Sequence, residues 1–286
     1  MALYRDFDTQ EAIDAQYQVE RSVPDMAPYA AYFTSESERV CRELEPVQGI
    51  AYGPSVEETL DVFPAREPGA PVLLFVHGGY WRAFSNRDFN FVAAGPHARG
   101  WAVVTTNYAL CPKVSLAEIT RQTRAAVKWV WQNITACNGD PRRIVIAGHS
   151  AGGQQAAMML ATDWAGDYAM PAEPFAGAIA VSGLFDLRPL RYSFVQPMLQ
   201  LDDGLIVRES PLQHVRPCAT PMLVTVGGDE PGEFRRQSAE YYDAWLAAGN
   251  HGELWEQPGR NHFMAIDDFL DPDSPLCERL DALLDR

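Results

Sequence analysis

An α/β fold built on one mostly parallel sheet is what this sequence predicts, and two observations predict it. Short β-rich apolar runs recur along the chain, most of them closed by Gly, His or Asn, and longer stretches of helical character separate them. The strands expected are Val72 to Val76, Ala102 to Thr106, Arg143 to Ala147, Ala178 to Val181 and Met222 to Val226. An earlier run, Glu58 to Phe63, alternates as an antiparallel strand would. Between the strands the helices expected are Asp88 to Arg99, Ser115 to Cys137, Gln154 to Thr162 and Phe234 to Ala248. The second opens on a Ser cap with Glu118 three positions later. Residues 1–45 read as helix and loop packed over the body, and residues 184–217, rich in Pro, Asp and Arg, read as a helical cap inserted between two late strands.

The 286 residues, nearly half of them apolar, suffice for one large core, and no repeat, low-complexity tract or Gly/Ser linker divides them. A single domain over residues 1–286 is expected. The first twenty residues are charged and polar where a signal peptide would be apolar, and no run approaches the roughly 18 apolar residues of a membrane span. Together with five scattered cysteines and no C-x-x-C pair, this leads to the expectation of a cytoplasmic protein with buried free thiols. A formal net charge of −15 argues against nucleic acid and anionic membrane as partners, because both are bound through basic patches. A homodimer is left open.

The sharpest chemical signal is Gly148-His149-Ser150-Ala151-Gly152, a G-x-S-x-G placed after one expected strand and before one expected helix. A serine on so tight a turn projects its hydroxyl above the sheet edge beside the free N–H groups of a helix N-terminus. Upstream, His77-Gly78-Gly79-Tyr80-Trp81 follows the strand Val72 to Val76. The amides of Gly78 and Gly79, with that of Ala151, would receive the oxyanion of a tetrahedral intermediate. His77 is expected to brace this loop.

A serine hydroxyl needs a base, and the base needs an acid to fix its tautomer. His262, in Gly259-Arg260-Asn261-His262-Phe263, fits the late loop position of the base better than His97, His149, His214 or His251. Asp229, after Val224-Thr225-Val226-Gly227-Gly228, is the acid expected, with Asp186 as its main rival and Glu230 as a second. The order Ser, Asp, His is that of the α/β-hydrolase fold, which becomes the specific fold expected. Histidine and carboxylate spacings of metal sites are missing from the sequence, as are the Gly-rich motifs that cradle nucleotides, so neither metal nor organic cofactor is expected.

With these motifs assembled, the chain resembles the kynurenine formamidase (arylformamidase) branch of the α/β hydrolases, whose oxyanion loop reads H-G-G-Y-W as here. The resemblance continues through Val23-Pro24-Asp25, Ala51-Tyr52-Gly53-Pro54, Asn107-Tyr108-Ala109-Leu110-Cys111-Pro112, Gly148 to Gly153 and Gly183-Leu184-Phe185-Asp186-Leu187-Arg188-Pro189. It implies Ser150, Asp229 and His262 as triad and hydrolysis of an N-formyl arylamine, typically N-formylkynurenine, with release of formate. Where similar proteins often carry Thr-Ser-x-Asn, this chain has Tyr192-Ser193-Phe194-Val195-Gln196. Tyr80, Trp81 and Phe185 are expected to wall an aryl pocket, and Arg82 or Arg191 to meet a substrate carboxylate. The alternatives are a carboxylesterase or thioesterase of small acyl esters with the same machinery, and a binding module that has kept the fold without the chemistry.

Overall fold

The computed structural model describes residues 2–285. Eight strands form one sheet in the order β1-β2-β4-β3-β5-β6-β7-β8. They are β1 (Val47–Ala51), β2 (Thr59–Phe63), β3 (Ala70–Val76), β4 (Ala102–Thr106), β5 (Gly139–His149), β6 (Phe175–Val181), β7 (Met222–Gly227) and β8 (Gly252–Gln257). Strand β2 runs antiparallel to both its neighbours, and β3 to β8 are parallel. Buried apolar side chains along β3, β4, β6 and β7, and from Ile144 onward in β5, make hydrophobic runs, as a sheet covered on both faces requires.

Helices α1 (Gln10–Tyr17) and α2 (Ala27–Leu44) precede the sheet. Then follow α3 (Ala94–Ala98), α4 (Leu116–Asn133), α5 (Ala151–Leu160) and α6 (Trp164–Tyr168). The excursion after β6 carries α7 (Gln196–Leu199) and α8 (Asp203–Glu209), and α9 (Gly232–Ala247) and α10 (Pro275–Ala282) close the chain. Ser115 caps α4 by accepting from the amide of Glu118, as the spacing of the two residues predicts.

Three expectations change. The strands β1 and β8 lie at the two sheet edges, and their largely polar, half-exposed composition hides them from a search for buried runs. The helix expected over Asp88 to Arg99 is broken into 3₁₀ turns, Asn86–Asp88 and Asn90–Ala93, followed by the five-residue α3. Pro96 removes a backbone donor there, and Gly95 fits closely under the carbonyl of Phe269 and the thiol of Cys277. Of the five cysteines, Cys41 and Cys137 are only half-buried, and all five are free thiols.

The parallel strands bring one edge of the sheet into register. Val76 of β3 lies opposite Gly148, His149 opposite Val181, Val181 opposite Thr225, and Gly227 opposite Gln257. The segments that follow these strand ends therefore emerge side by side, and they hold His77, Ser150, Ser182, Glu230 and His262. Ligand sites of α/β sheets form at this carboxyl edge.

Candidate active site

Ser150 occupies the turn between β5 and α5 with φ 56° and ψ −116°, a conformation that costs an L-residue of order 1–3 kcal/mol. Its amide donates to Val181 O at 2.8 Å, fixing the turn to the neighbouring strand. The flanking glycines are required by contact. A Cβ on Gly148 would lie 2.1 Å from Gly152 O, and one on Gly152 would lie 2.0 Å from Val76 O. The helix N-terminus can thus sit directly against the end of β3, with Ser150 itself only 2% exposed.

Gly78 lies so close that an added Cβ would meet His149 O at 2.9 Å and Ser150 Cβ at 3.2 Å. Gly79 has φ 108°, and Tyr80, Trp81 and Phe84 are also left-handed, so the loop reverses sharply over the serine. Trp81 O accepts from Cys111 N at 2.8 Å, and Trp81 Nε1 donates to Gln154 Oε1 at 3.1 Å, so this ring is fixed in the core. The strained loop therefore keeps the amide-bearing glycines next to Ser150, where three donors, those of Gly78, Gly79 and Ala151, can serve an oxyanion.

His77 is buried and stacks on Tyr108 with ring centroids 4.1 Å apart. Its Nδ1 must carry the proton, because its partner at 2.7 Å is the carbonyl of Gly78. Burial lowers its pKa to about 4, although the bond to that carbonyl opposes the shift. This residue braces the loop, as expected. Because the folded value lies below the ordinary 6.5, the folded state holds neutral His77 while the unfolded chain takes up a proton as pH falls. The stability it contributes is present above pH ~6.5 and disappears toward pH ~4, at most about 3 kcal/mol. Urea unfolding at pH 7 and 4.5 is expected to show the native chain losing about 2–3 kcal/mol more than His77→Gln does. Equal losses would contradict this account of His77.

The acid is where the structure departs from expectation. Asp229 does not face His262; it is exposed, and only its amide reaches the histidine loop, donating to Arg260 O at 3.0 Å. The carboxylate at His262 belongs to Glu230, whose Oε2 is 2.7 Å from Nδ1, with both side chains buried. After β7 the chain turns so that Glu230 N donates to Gly227 O at 3.2 Å, and Glu230 Oε1 accepts from Gly227 N at 2.8 Å and from the Ser182 hydroxyl. This turn points the longer side chain inward and leaves Asp229 on its outer side. Adjacent acids after a Gly-Gly pair give no sequence signal for the phase of such a turn. Asp186, the other rival, is held by Arg188 at 2.7–3.0 Å and by the Tyr4 hydroxyl at 2.8 Å. Burial pushes its carboxyl up, but the bonds from Arg188 and Tyr4 hold it below the usual range. It ties the N-terminal segment to the body.

With Nδ1–H donating to Glu230, the lone pair of His262 is on Nε2, and His262 and Ser150 line the same cleft. His149 donates from Nε2 to His262 O at 2.9 Å and packs on the His262 ring. Burial, then the proximity of His262, holds His149 far below the ordinary histidine range, so it is neutral there and no competitor for the base's role. Asn261 accepts from the amides of Phe263 and Met264, both at 3.0 Å, and donates to the Tyr29 hydroxyl at 2.9 Å. The loop bearing His262 is thereby anchored to α2.

The cleft over Ser150 encloses about 250 Å³. Tyr80 and Arg82 line it with Gly79, Ser150 and His262. Three other expected pocket residues do not. Trp81 is in the core, Phe185 is buried against Tyr241 with ring centroids 4.2 Å apart, and Arg191 is paired with Asp203 in a separate depression. The aromatic wall instead comes from Phe33, Phe84, Phe89 and Phe263, and Val19, Glu20 and Met26 complete it. The covering segment is therefore residues 19–33 and not 184–217. Phe194 of the latter reaches only the back of the wall, where its ring meets Tyr80 and lies under the Arg82 guanidinium at 5.6 Å. Spacing alone could not reveal this, because the N-terminal contribution depends on tertiary ties such as Tyr17 to Glu233, at 2.8 Å, and the Tyr80 hydroxyl to Tyr17 O.

Among the described residues no His, Cys, Asp and Glu cluster suited to a metal occurs, and no helix is long and apolar enough to cross a membrane. Residues 60–244 match the BD-FAE family. The kynurenine formamidase of Danio rerio is 29% identical over 285 residues, 95% of each chain. That of Salmo salar is 31% identical over 85% of this chain and 84% of its own. The chain belongs to the BD-FAE family and to the kynurenine formamidase family. The sheet order and these relatives make it an α/β-fold hydrolase. Proteins similar to this chain differ in what they are named for. Esterase LipQ of Mycobacterium tuberculosis is 29% identical over 74% of this chain and 56% of its own. A candidate thioesterase from Silicibacter sp. TM1040 superposes with a TM-score of 0.85 at 29% identity, covering 94% of this chain and 98% of its own. Esterase B of Lactobacillus rhamnosus, at 19% identity and TM-score 0.72, shares the fold.

Proposed function

We propose that the protein is an arylformamidase that hydrolyses N-formyl aryl amides such as N-formylkynurenine, and that Ser150, His262 and Glu230 carry the reaction. The observation that supports this most is the Glu230–His262 bond of 2.7 Å set beneath an aromatic-walled cleft that Ser150 also lines. Glu230 fixes the imidazole with its lone pair on Nε2, which accepts the Ser150 proton as Oγ attacks the formyl carbon. In free hydrolases this serine–histidine contact is often loose and tightens when substrate is bound. The oxyanion that forms is received by the amides of Gly78, Gly79 and Ala151, each such donor lowering the barrier by about 3–4 kcal/mol. His262 then protonates the leaving arylamine, water hydrolyses the formyl-enzyme, and formate departs. Neither metal nor cofactor enters this scheme.

A carboxylesterase or thioesterase reading is favoured by the esterase and thioesterase relatives, since the same residues serve either leaving group. Comparison of kcat/KM for N-formyl-L-kynurenine with that for p-nitrophenyl acetate and butyrate separates the two. A preference for the formamide of at least about a hundredfold, or about 3 kcal/mol in transition-state binding, is expected. Ester turnover alone would replace the formamidase by an esterase.

A further inference from the structure

The cleft lining carries one carboxyl side chain, Glu20, and one guanidinium, Arg82. Glu20 belongs to the 3₁₀ turn Val19–Ser22, and Arg82 immediately follows the strained Tyr80-Trp81 pair. Glu20 Oε2 and Arg82 Nε are both withdrawn from solvent, and neither has a hydrogen-bond partner among the described residues. Most polar groups so placed are satisfied, and an unpartnered one costs about 1–3 kcal/mol, more when charged. Both side chains line the same cleft as Tyr80. Burial chiefly raises the pKa of the Tyr80 hydroxyl, Glu20 adds to the rise, and Arg82 opposes it.

We infer that Glu20 and Arg82 form a two-point site for the zwitterionic α-amino-acid end of the substrate, Glu20 receiving the ammonium and Arg82 the carboxylate. This rests on the formamidase reading for the identity of the substrate, but not on the hydrolysis itself. A neutral ester would leave Glu20 Oε2 and Arg82 Nε without hydrogen-bond partners. A simple anion would satisfy Arg82 and be repelled by Glu20, in a chain whose net charge is already −15. An amino acid carries both charges on one carbon, and an aryl group attached to it would occupy the apolar remainder of the cleft, against Phe33, Phe84 and Phe89.

The test is calorimetric binding of three amines to the full native chain: L-kynurenine, kynuramine, which lacks the carboxylate, and 2-aminoacetophenone, which lacks both charges. Affinity is expected to fall at each step. Glu20→Gln should weaken L-kynurenine and kynuramine by about tenfold or more, whereas Arg82→Gln should weaken L-kynurenine selectively. Equal affinity for the three ligands, absence of L-kynurenine binding, or unchanged affinities in both variants would overturn the assignment. Because the ligand series is measured on the native chain, misfolding of a variant cannot decide the outcome. Formamide turnover is assayed in parallel on formanilide, which has no amino-acid end. Turnover with indifferent binding removes the two-point site and leaves the formamidase. The graded binding pattern without turnover of any formamide does the reverse.

Discussion

Ser150→Ala is expected to lower kcat on N-formyl-L-kynurenine by about 10⁵–10⁶-fold, with KM changed by less than about threefold. The loss is this large because the hydroxyl provides the attacking atom, and the base and oxyanion donors have nothing to act upon without it. Substrate affinity should survive because the cleft walls, from Phe33 to Phe263, are untouched. The fold should survive as well. The turn at φ 56° already holds a Cβ-bearing residue, its amide bond to Val181 O is backbone, and the substitution adds no atom. Stopped assays on highly purified protein, with thermal unfolding as the control, check both parts. A fall of less than about a hundredfold would remove Ser150 from the nucleophile's role.

Glu230→Gln is expected to cost about 10³–10⁴-fold in kcat, whereas Asp229→Asn should stay within about twofold. The carboxylate accepts from His262 Nδ1, and a neutral amide in its place no longer stabilises the imidazolium that forms during attack. The amide can also present its NH₂ group to Nδ1, which would drive the proton to Nε2 and leave no lone pair facing Ser150. Ser182 and Gly227 N hold the other oxygen, so the variant cannot turn away without breaking those bonds. Asp229 has no such part, being exposed and tied to the loop only through its amide. If Asp229→Asn were the more damaging variant, the pairing of Glu230 with His262 would not be the catalytic one.

The contrast between these two acids shows where the sequence is informative. The G-x-S-x-G turn and the loop after β3 are legible because their chemistry depends on local backbone, on glycines that alone fit and on strand ends that aim them. His262 is legible because few histidines occur in late loops. The acid is not, since Asp229 and Glu230 are neighbours and the choice between them is made by a turn whose hydrogen bonds involve Gly227 and Ser182, 48 residues away from Glu230 in the latter case. The central strands stand out as buried apolar runs, but β1 and β8 do not, because an edge strand need bury little. The cleft lining is the least legible part. Glu20, Met26 and Phe33 precede the entire sheet, and only the packed chain shows that they cover Ser150. Phe185 looks like a pocket residue by composition and is committed to a stack on Tyr241.

The central claim, that one serine carries formamide hydrolysis, is tested most directly by titrating the native enzyme with an organophosphonate while formate release from N-formyl-L-kynurenine is followed. The prediction is a linear loss of activity to zero at one phosphonate per chain, with peptide mass analysis locating the adduct on Ser150. Formate release that persists after full labelling, or an adduct on another residue, would contradict it.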